Sequence, residues 1–270
     1  MSDIRQIDDD WNEHFANETV EKQVLLTKKE EALPLFYKYL RKDGMIVDLG
    51  CGLGKHLLYW HAEGYKIAGI DSEQRCISKI IEYCPDADAK LGDILFTPYK
   101  NETVDYCISY GVVEHFEEGP HKAFVEMHRI LRKNGKAFVS VPHNNCLYRF
   151  INSLRSNSLL RKLMGKKTLD TNNNDADNNR LVELVFTRQE ISDYFIKAGF
   201  VVVEGLPILT KWGFCNIFKV LRIKNFPKKP TYETLLDPPL TRIGNLLYAL
   251  IMKIDPWLIG HFQVFVITKK

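Results

Sequence analysis

The sequence predicts an α/β fold: a mostly parallel, seven-stranded sheet with helices on both faces. Three observations predict it. Short apolar runs alternate with amphipathic stretches from residue 45 to residue 142. A glycine-rich turn joins the first apolar run to the stretch after it. Acids stand at or just past the ends of three successive runs: Asp48, Asp71 and Asp93.

Residues 11–41 read as helices, because Val24, Leu25, Leu33, Phe36, Tyr37 and Leu40 lie near a 3.6-residue period. Pro34 must start a new helix there or kink one. Residues 45–49 are a short apolar run between glycines, a buried strand. Residues 56–62 form a helix, 66–70 a second strand, and 74–83 a second helix that stops before Pro85. Strands three and four are expected at 87–91 and 103–109. The amphipathic helix 121–131 is closed by Lys133-Asn134-Gly135. A fifth strand at 136–141 ends at Pro142. The strand–helix rhythm requires parallel pairing with crossover helices.

The rhythm then breaks. Residues 144–169 are amphipathic and basic, with Arg149, Arg155, Arg161, Lys162, Lys166 and Lys167 and no acid before Asp170. Residues 170–179, DTNNNDADNN, are a polar low-complexity loop. A helix at 188–198 and a strand at 200–204 restore the pattern. Residues 222–239 hold four prolines and read as irregular linker. Residues 240–254 are a strongly apolar helix, expected to be core under a last strand at 262–268, the alternative being that it joins the basic insert on a surface that meets lipid.

Of the 270 residues, 45% are hydrophobic and 26% charged, which argues against wholesale disorder. A net charge of +3 is too small to imply a nucleic-acid partner. No two of the six cysteines form a C-x-x-C pair, which argues against zinc and for a reducing compartment. The acidic start, MSDIRQIDDDWNEHF, does not read as a signal peptide, and no stretch is long and apolar enough to span a bilayer. A cytoplasmic protein is expected.

The central motif is IVDLGCGLGK, residues 46–55. A strand ends in an acid and opens into G-x-G-x-G before a helix. Glycine permits a sharp turn and a close approach of ligand to main chain. The spacing is not the dinucleotide G-x-G-x-x-G. A pyrophosphate wants a helix N-terminus without a carboxylate beside it, whereas a sulfonium cofactor with an ammonium tail tolerates Asp48. Asp71, 17 residues past Gly54, stands where a carboxylate can accept from a ribose diol. Asp93 can accept from an adenine amino group. A lone Asp at a strand end is usually a turn residue; three in this order are harder to assign to turns.

These segments resemble class I S-adenosylmethionine-dependent methyltransferases, in the branch similar to ubiquinone-biosynthesis O-methyltransferases and their small-molecule relatives. VDLGCGLGK resembles the first motif and GIDSE the acidic loop. LGDILFTPYKNETVDYCISYGVVEHF resembles the adenine loop with strand four, and EMHRILRKNGKAFVSVP the helix and strand that follow. The resemblance covers about residues 40–142. It implies a Rossmann-like fold and S-adenosyl-L-methionine as cofactor. Asp48, Gly50, Gly52 and Gly54, with Cys51 among them, are implied to line the methionine part. Asp71 is implied to hold the ribose hydroxyls and Ser72 to flank the adenine. Asp93 and Ile94 are implied to hold the adenine, and Tyr110 and Gly111 to flank the transferred methyl. Four segments are then expected: a helical cap (1–40), the cofactor-binding core (41–143), a basic helical lid insertion with a polar loop (144–185), and a C-terminal completion of the sheet with an apolar helix (186–270).

Methyl transfer needs an aligned nucleophile, exclusion of water and, often, removal of a proton. Glu114 and His115 follow strand four, and His143 follows strand five; these are the catalytic candidates. Each also has a packing or capping reading. Some relatives carry Glu-x-x-Glu-His at this place and can hold a divalent metal. Here the first Glu position is Gly111, so no metal is expected. If a base is needed, His115 is the better one, since histidine titrates near neutrality. The expected acceptor is a small or lipid-linked molecule, methylated at oxygen. An N-methylated amine, RNA, or cofactor binding without catalysis are the alternatives. The insert 144–169 has three readings: a lid with its charges in water, a surface that meets anionic lipid or a polyprenyl-linked substrate, or a contact with an acidic or phosphorylated acceptor.

Overall fold

The computed structural model describes residues 18–156, 183–218 and 236–269. The chain divides into two compact units. The first comprises residues 1–143, 181–208 and 262–270; the second comprises 144–180 and 209–261.

The first unit is built on one seven-stranded sheet. Its strands are β1 (Met45–Leu49), β2 (Lys66–Asp71), β3 (Asp88–Leu91), β4 (Val104–Tyr110), β5 (Leu131–Pro142), β6 (Phe200–Ile208) and β7 (Phe262–Lys269). The order is β3-β2-β1-β4-β5-β7-β6. The first five strands pair in parallel; β7 runs antiparallel to both β5 and β6. The strand order therefore reverses beside β1, and ligands of open α/β sheets bind at such a point.

Among the described residues, two short helices precede β1: α1 (Val20–Thr27) and α2 (Leu33–Tyr39). Thr19 caps α1 by accepting from Lys22 N–H. Pro34 sits in the first turn of α2, where its missing N–H costs nothing. Phe36 of α2 is buried and stacks on Phe138 of β5 at 4.5 Å. Helix α3 (Lys55–Ala62) starts at Gly54, and α4 (Gln74–Tyr83) connects β2 to β3. Trp60 of α3 is fully buried, ringed edge-on by Tyr37, Tyr59 and Tyr65. Helix α5 (His121–Ile130) connects β4 to β5, with Asn134 in the left-handed region within the Lys-Asn-Gly turn. Counting in chain order, α6 (Cys146–Ser156) lies in the second unit, and α7 (Arg188–Lys197) returns to the first with a full Thr187–Glu190 capping box.

The second unit also holds α8 (Thr210–Ile217) and α9 (Arg242–Ile254). Helix α8 went unread in the sequence: its Trp-Gly-Phe-Cys run offers no clear period. Phe214, Cys215, Ile217, Leu240 and Ile259 form this unit's core. The tail helix α9 corrects an expectation. It is not a buried core helix: only one side packs inward, and most of its apolar residues are exposed. Sequence hydrophobicity alone does not say which apolar side chains find partners. Other differences are shifts of strand ends. β5 begins at Leu131 rather than 136, and β6 runs on to Ile208 through an irregularity at Val202/Glu204. The polar loop at 170–179, the basic insert beyond 156 and most of the proline-rich segment lie outside the described residues.

Candidate active site

The ends of β1, β2, β4 and β5 lie side by side, because the parallel register places Leu49 beside Ile70 and Asp48 beside Ile108. Every residue implied in cofactor binding lies at or just past one of these ends or that of β3.

The glycine loop is held by its own main chain. Gly50 and Cys51 N–H both donate to Ile70 O, at 2.8 and 3.1 Å. Gly50 has φ +78°, and a Cβ there would fall 2.6 Å from Val112 Cγ1. Only glycine fits that position. Asp71 then closes the loop from the neighbouring strand. Its Oδ2 accepts from Gly52 N–H at 2.7 Å and its Oδ1 from Glu73 N–H at 2.9 Å. Each carboxylate oxygen has a second lone pair for a ribose hydroxyl. Burial raises the Asp71 carboxyl, and three main-chain N–H groups oppose that shift.

Asp48 is buried at the end of β1, where its Oδ2 accepts from Leu57 N–H at 3.1 Å. Burial pushes its carboxyl up to about 7, and the charges of Asp71 and Glu30 add to the effect. The Lys55 ammonium opposes that rise. Cys51 is buried among the core residues, so its thiol faces away from any ligand and only its main chain borders the loop. Ser72 is exposed. Asp93 is exposed and accepts from Leu95 N–H at 2.8 Å, while Ile94 is buried. The loop after β3 is pinned to α5, since Glu126 accepts from Thr97 N–H and Oγ1, both at 2.7 Å. Arg129 completes that network through Glu126.

Sequence reading missed a second layer. Glu30, between α1 and α2, is buried and ion-paired with Lys55, the first residue of α3. His56 lies beside it, 3.6 Å from Glu30 Oε2. Burial lowers His56 to about 4, so its ring is neutral. Tyr110 tilts against His56 at 4.7 Å, with Lys55 Nζ 5.3 Å from the Tyr110 ring centre. Thr27 Oγ1 donates to Lys55 O at 3.0 Å and so fastens α1 to the loop. Nothing local flagged Glu30: within Lys28-Lys29-Glu30-Glu31 it reads as one more solvated charge.

The catalytic candidates are brought to neighbouring turns. Gly111 N–H donates to Ser140 O at 3.3 Å, joining the ends of β4 and β5. Leu184 N–H donates to Glu114 O and Phe186 N–H to Pro142 O, so one short segment ties both turns together. His143 follows Pro142 and bridges to Phe186. Glu114 and His115 lie in a single 3-10 turn, with Glu114 buried and His115 half-buried. Burial pushes the Glu114 carboxyl up to about 8. That favours the protonated carboxyl, which can donate a hydrogen bond. Its chain neighbours aside, a Cβ at Gly111 would meet only Glu114 Oε1, at 3.7 Å. There is room beside Gly111 for a ligand.

Among the described residues, one other group has metal-ligand spacing: His61, Cys84 and Asp86, at the far ends of α3 and α4. Its members already bond one another, His61 Nε2 to Asp86 at 3.2 Å and Cys84 Sγ to Asp86 at 3.1 Å.

The donor set suits an adenosyl sulfonium with an amino-acid tail. Asp71 and Asp48 stand together where a pyrophosphate would be repelled and where an ammonium would favour the ionised form of the Asp48 carboxyl. Comparison with known proteins agrees. Residues 47–139 match the family model described as Methyltransferase domain. Over 110 residues the chain is 33% identical to the tRNA (carboxymethyluridine(34)-5-O)-methyltransferase alkbh8 of Xenopus tropicalis, covering 39% of this chain and 17% of that protein. It is 34% identical over 95 residues to the Saccharomyces cerevisiae tRNA (carboxymethyluridine(34)-5-O)-methyltransferase, covering 34% of this chain and 33% of that one. These matches thus span a third or less of the relatives' length. A SAM-dependent methyltransferase from Methanosarcina mazei superposes with TM-score 0.56 at 14% identity, over 87% of this chain and 97% of that one. At such identity the likeness concerns the fold. Residues 47–139 therefore match a methyltransferase domain, and the sheet that carries them has the fold of SAM-dependent methyltransferases.

Proposed function

We propose that the protein transfers a methyl group from S-adenosylmethionine to an oxygen of a small or lipid-linked acceptor. The observation that carries the reading is the glycine loop closed by Asp71, with Asp48 and Glu30 behind it. Asp71 would hold the ribose, Asp93 and Ile94 the adenine, and Asp48 the ammonium of the cofactor. When bound, the cofactor supplies an electrophilic methyl on sulfur. Gly111 leaves space for the acceptor, and the neutral Glu114 carboxyl donates a hydrogen bond to its oxygen. His115, on the same turn, takes the acceptor proton. The small-molecule O-methylating branch that the sequence resembles supplies this chemistry.

A second reading is favoured by one observation. The relatives reported above are named for methylating a carboxymethyluridine of tRNA at oxygen. Oxygen is the shared element; the carrier differs. Labelled S-adenosylmethionine, offered with total tRNA and with lipid and small-molecule extracts, separates the two. Label in an organic fraction supports the first reading. Alkali-labile label in tRNA overturns it for the second. His115→Ala should lower turnover by roughly 10²–10⁴-fold while leaving S-adenosylhomocysteine affinity unchanged. An equal loss of affinity would remove His115 from the proton-transfer role.

A further inference from the structure

Helix α9 has two faces of different fate. Gly244, Tyr248, Ile251 and Met252 turn toward the core of the second unit. Tyr248 OH lies 2.9 Å from Thr210 Oγ1, which fixes the rotation of the helix. Thr241 caps its start by accepting from Gly244 N–H. The other face is aliphatic and open. Ile243, Leu246, Leu250 and Ile254 are 64, 73, 54 and 69% exposed, and Leu247 lies beside them at 40%. Their spacing puts all five on one stripe. A monomer gains nothing by placing five branched side chains in water on one helix.

Charge tells what the stripe meets. Arg242 and Lys253 are exposed at the two ends of α9, and the helix holds no acid. Among the described residues, the second unit has 5 Lys and Arg against 2 Asp, a formal +3. The first unit has 20 against 23, a formal −3. The total charge conceals this division. An aliphatic stripe offers RNA neither stacking planes nor donors. Pairing with a second copy would bring two positive units together. An anionic bilayer satisfies both features, taking the stripe into its acyl boundary and Arg242 and Lys253 onto its phosphates. At 13 residues α9 is too short to cross, since a span needs about 20. It would lie in the plane.

We propose that α9 docks the protein peripherally on an anionic lipid surface. The inference concerns location and does not depend on which acceptor is methylated. The test floats the full chain with vesicles of phosphatidylcholine alone and of phosphatidylcholine with about a third phosphatidylglycerol. The wild type should float with the anionic vesicles and less with the neutral ones. Raising salt from ~0.1 to ~1 M should weaken the association by shortening the screening length. Leu246→Asp with Leu250→Asp should lower it at least about tenfold, and so should Arg242→Glu with Lys253→Glu. S-Adenosylhomocysteine affinity and circular dichroism, measured on the same samples, should not change. Wild type that binds S-adenosylhomocysteine but stays with the unbound fraction overturns the proposal. So does floating that survives the Leu246/Leu250 change. A wild-type dimer that this change dissociates would assign the face to a second copy. RNA binding abolished by the same change would assign it to RNA.

Discussion

Asp71 closes the glycine loop through Gly52 N–H, and under the proposed function its remaining lone pairs would take the ribose hydroxyls. Glu114 differs: burial favours its protonated carboxyl. Both Glu114 and Asp48 hold their protons more tightly in the folded chain than in the unfolded one. The stability they confer is full below the ordinary carboxylate range. It is lost as pH rises toward about 7 for Asp48 and about 8 for Glu114. Without ligand, the thermal midpoint should therefore fall between about pH 5 and about pH 8.5. Glu114→Gln should flatten part of that fall and leave the part due to Asp48. An unchanged slope would mean that Glu114 is hydrated and ionised.

At the scale of elements, the loop after β1 is a fitted part. Gly50→Ala forces a left-handed alanine and overlaps Val112 Cγ1. It should destabilise the fold by about 2 kcal/mol or more. Adding Val112→Ala should return the overlap part and not the backbone part, which a double-mutant cycle measures. Full recovery would show that the positive φ carries no cost. Phe36 fastens α2 to the sheet through Phe138 and His56. Phe36→Ala should cost about 3–5 kcal/mol in denaturant unfolding and loosen Glu30 from Lys55. The strands and the three acids could be read in the sequence because period and spacing are local. Glu30 and His56 could not, because their burial depends on α1 and α2 folding over the loop. For the same reason α9 read as core: its apolar period is plain, but its partners number too few to cover it.

At the scale of the molecule, the two units divide charge and task. The negative unit carries the sheet, the glycine loop and the candidate site; the positive one carries the exposed aliphatic helix. The split was hidden in a near-neutral total, since composition averages over units that only the contacts separate. Ligand should stabilise the whole chain by linkage. S-Adenosylhomocysteine at about 100 times its Kd should raise the unfolding free energy by ~2.7 kcal/mol, seen as an upward shift of the melting transition.

Calorimetry decides whether the loop of residues 50–54 and Asp71 hold S-adenosylmethionine. Wild type and Asp71→Ala are titrated with S-adenosylhomocysteine. Wild type should bind with a Kd on the order of micromolar. In the variant, losing charge-assisted hydrogen bonds should weaken binding by roughly 2–4 kcal/mol, or ~30-fold to 1000-fold. Folded wild type that does not bind, or a variant that binds equally well, would contradict that role.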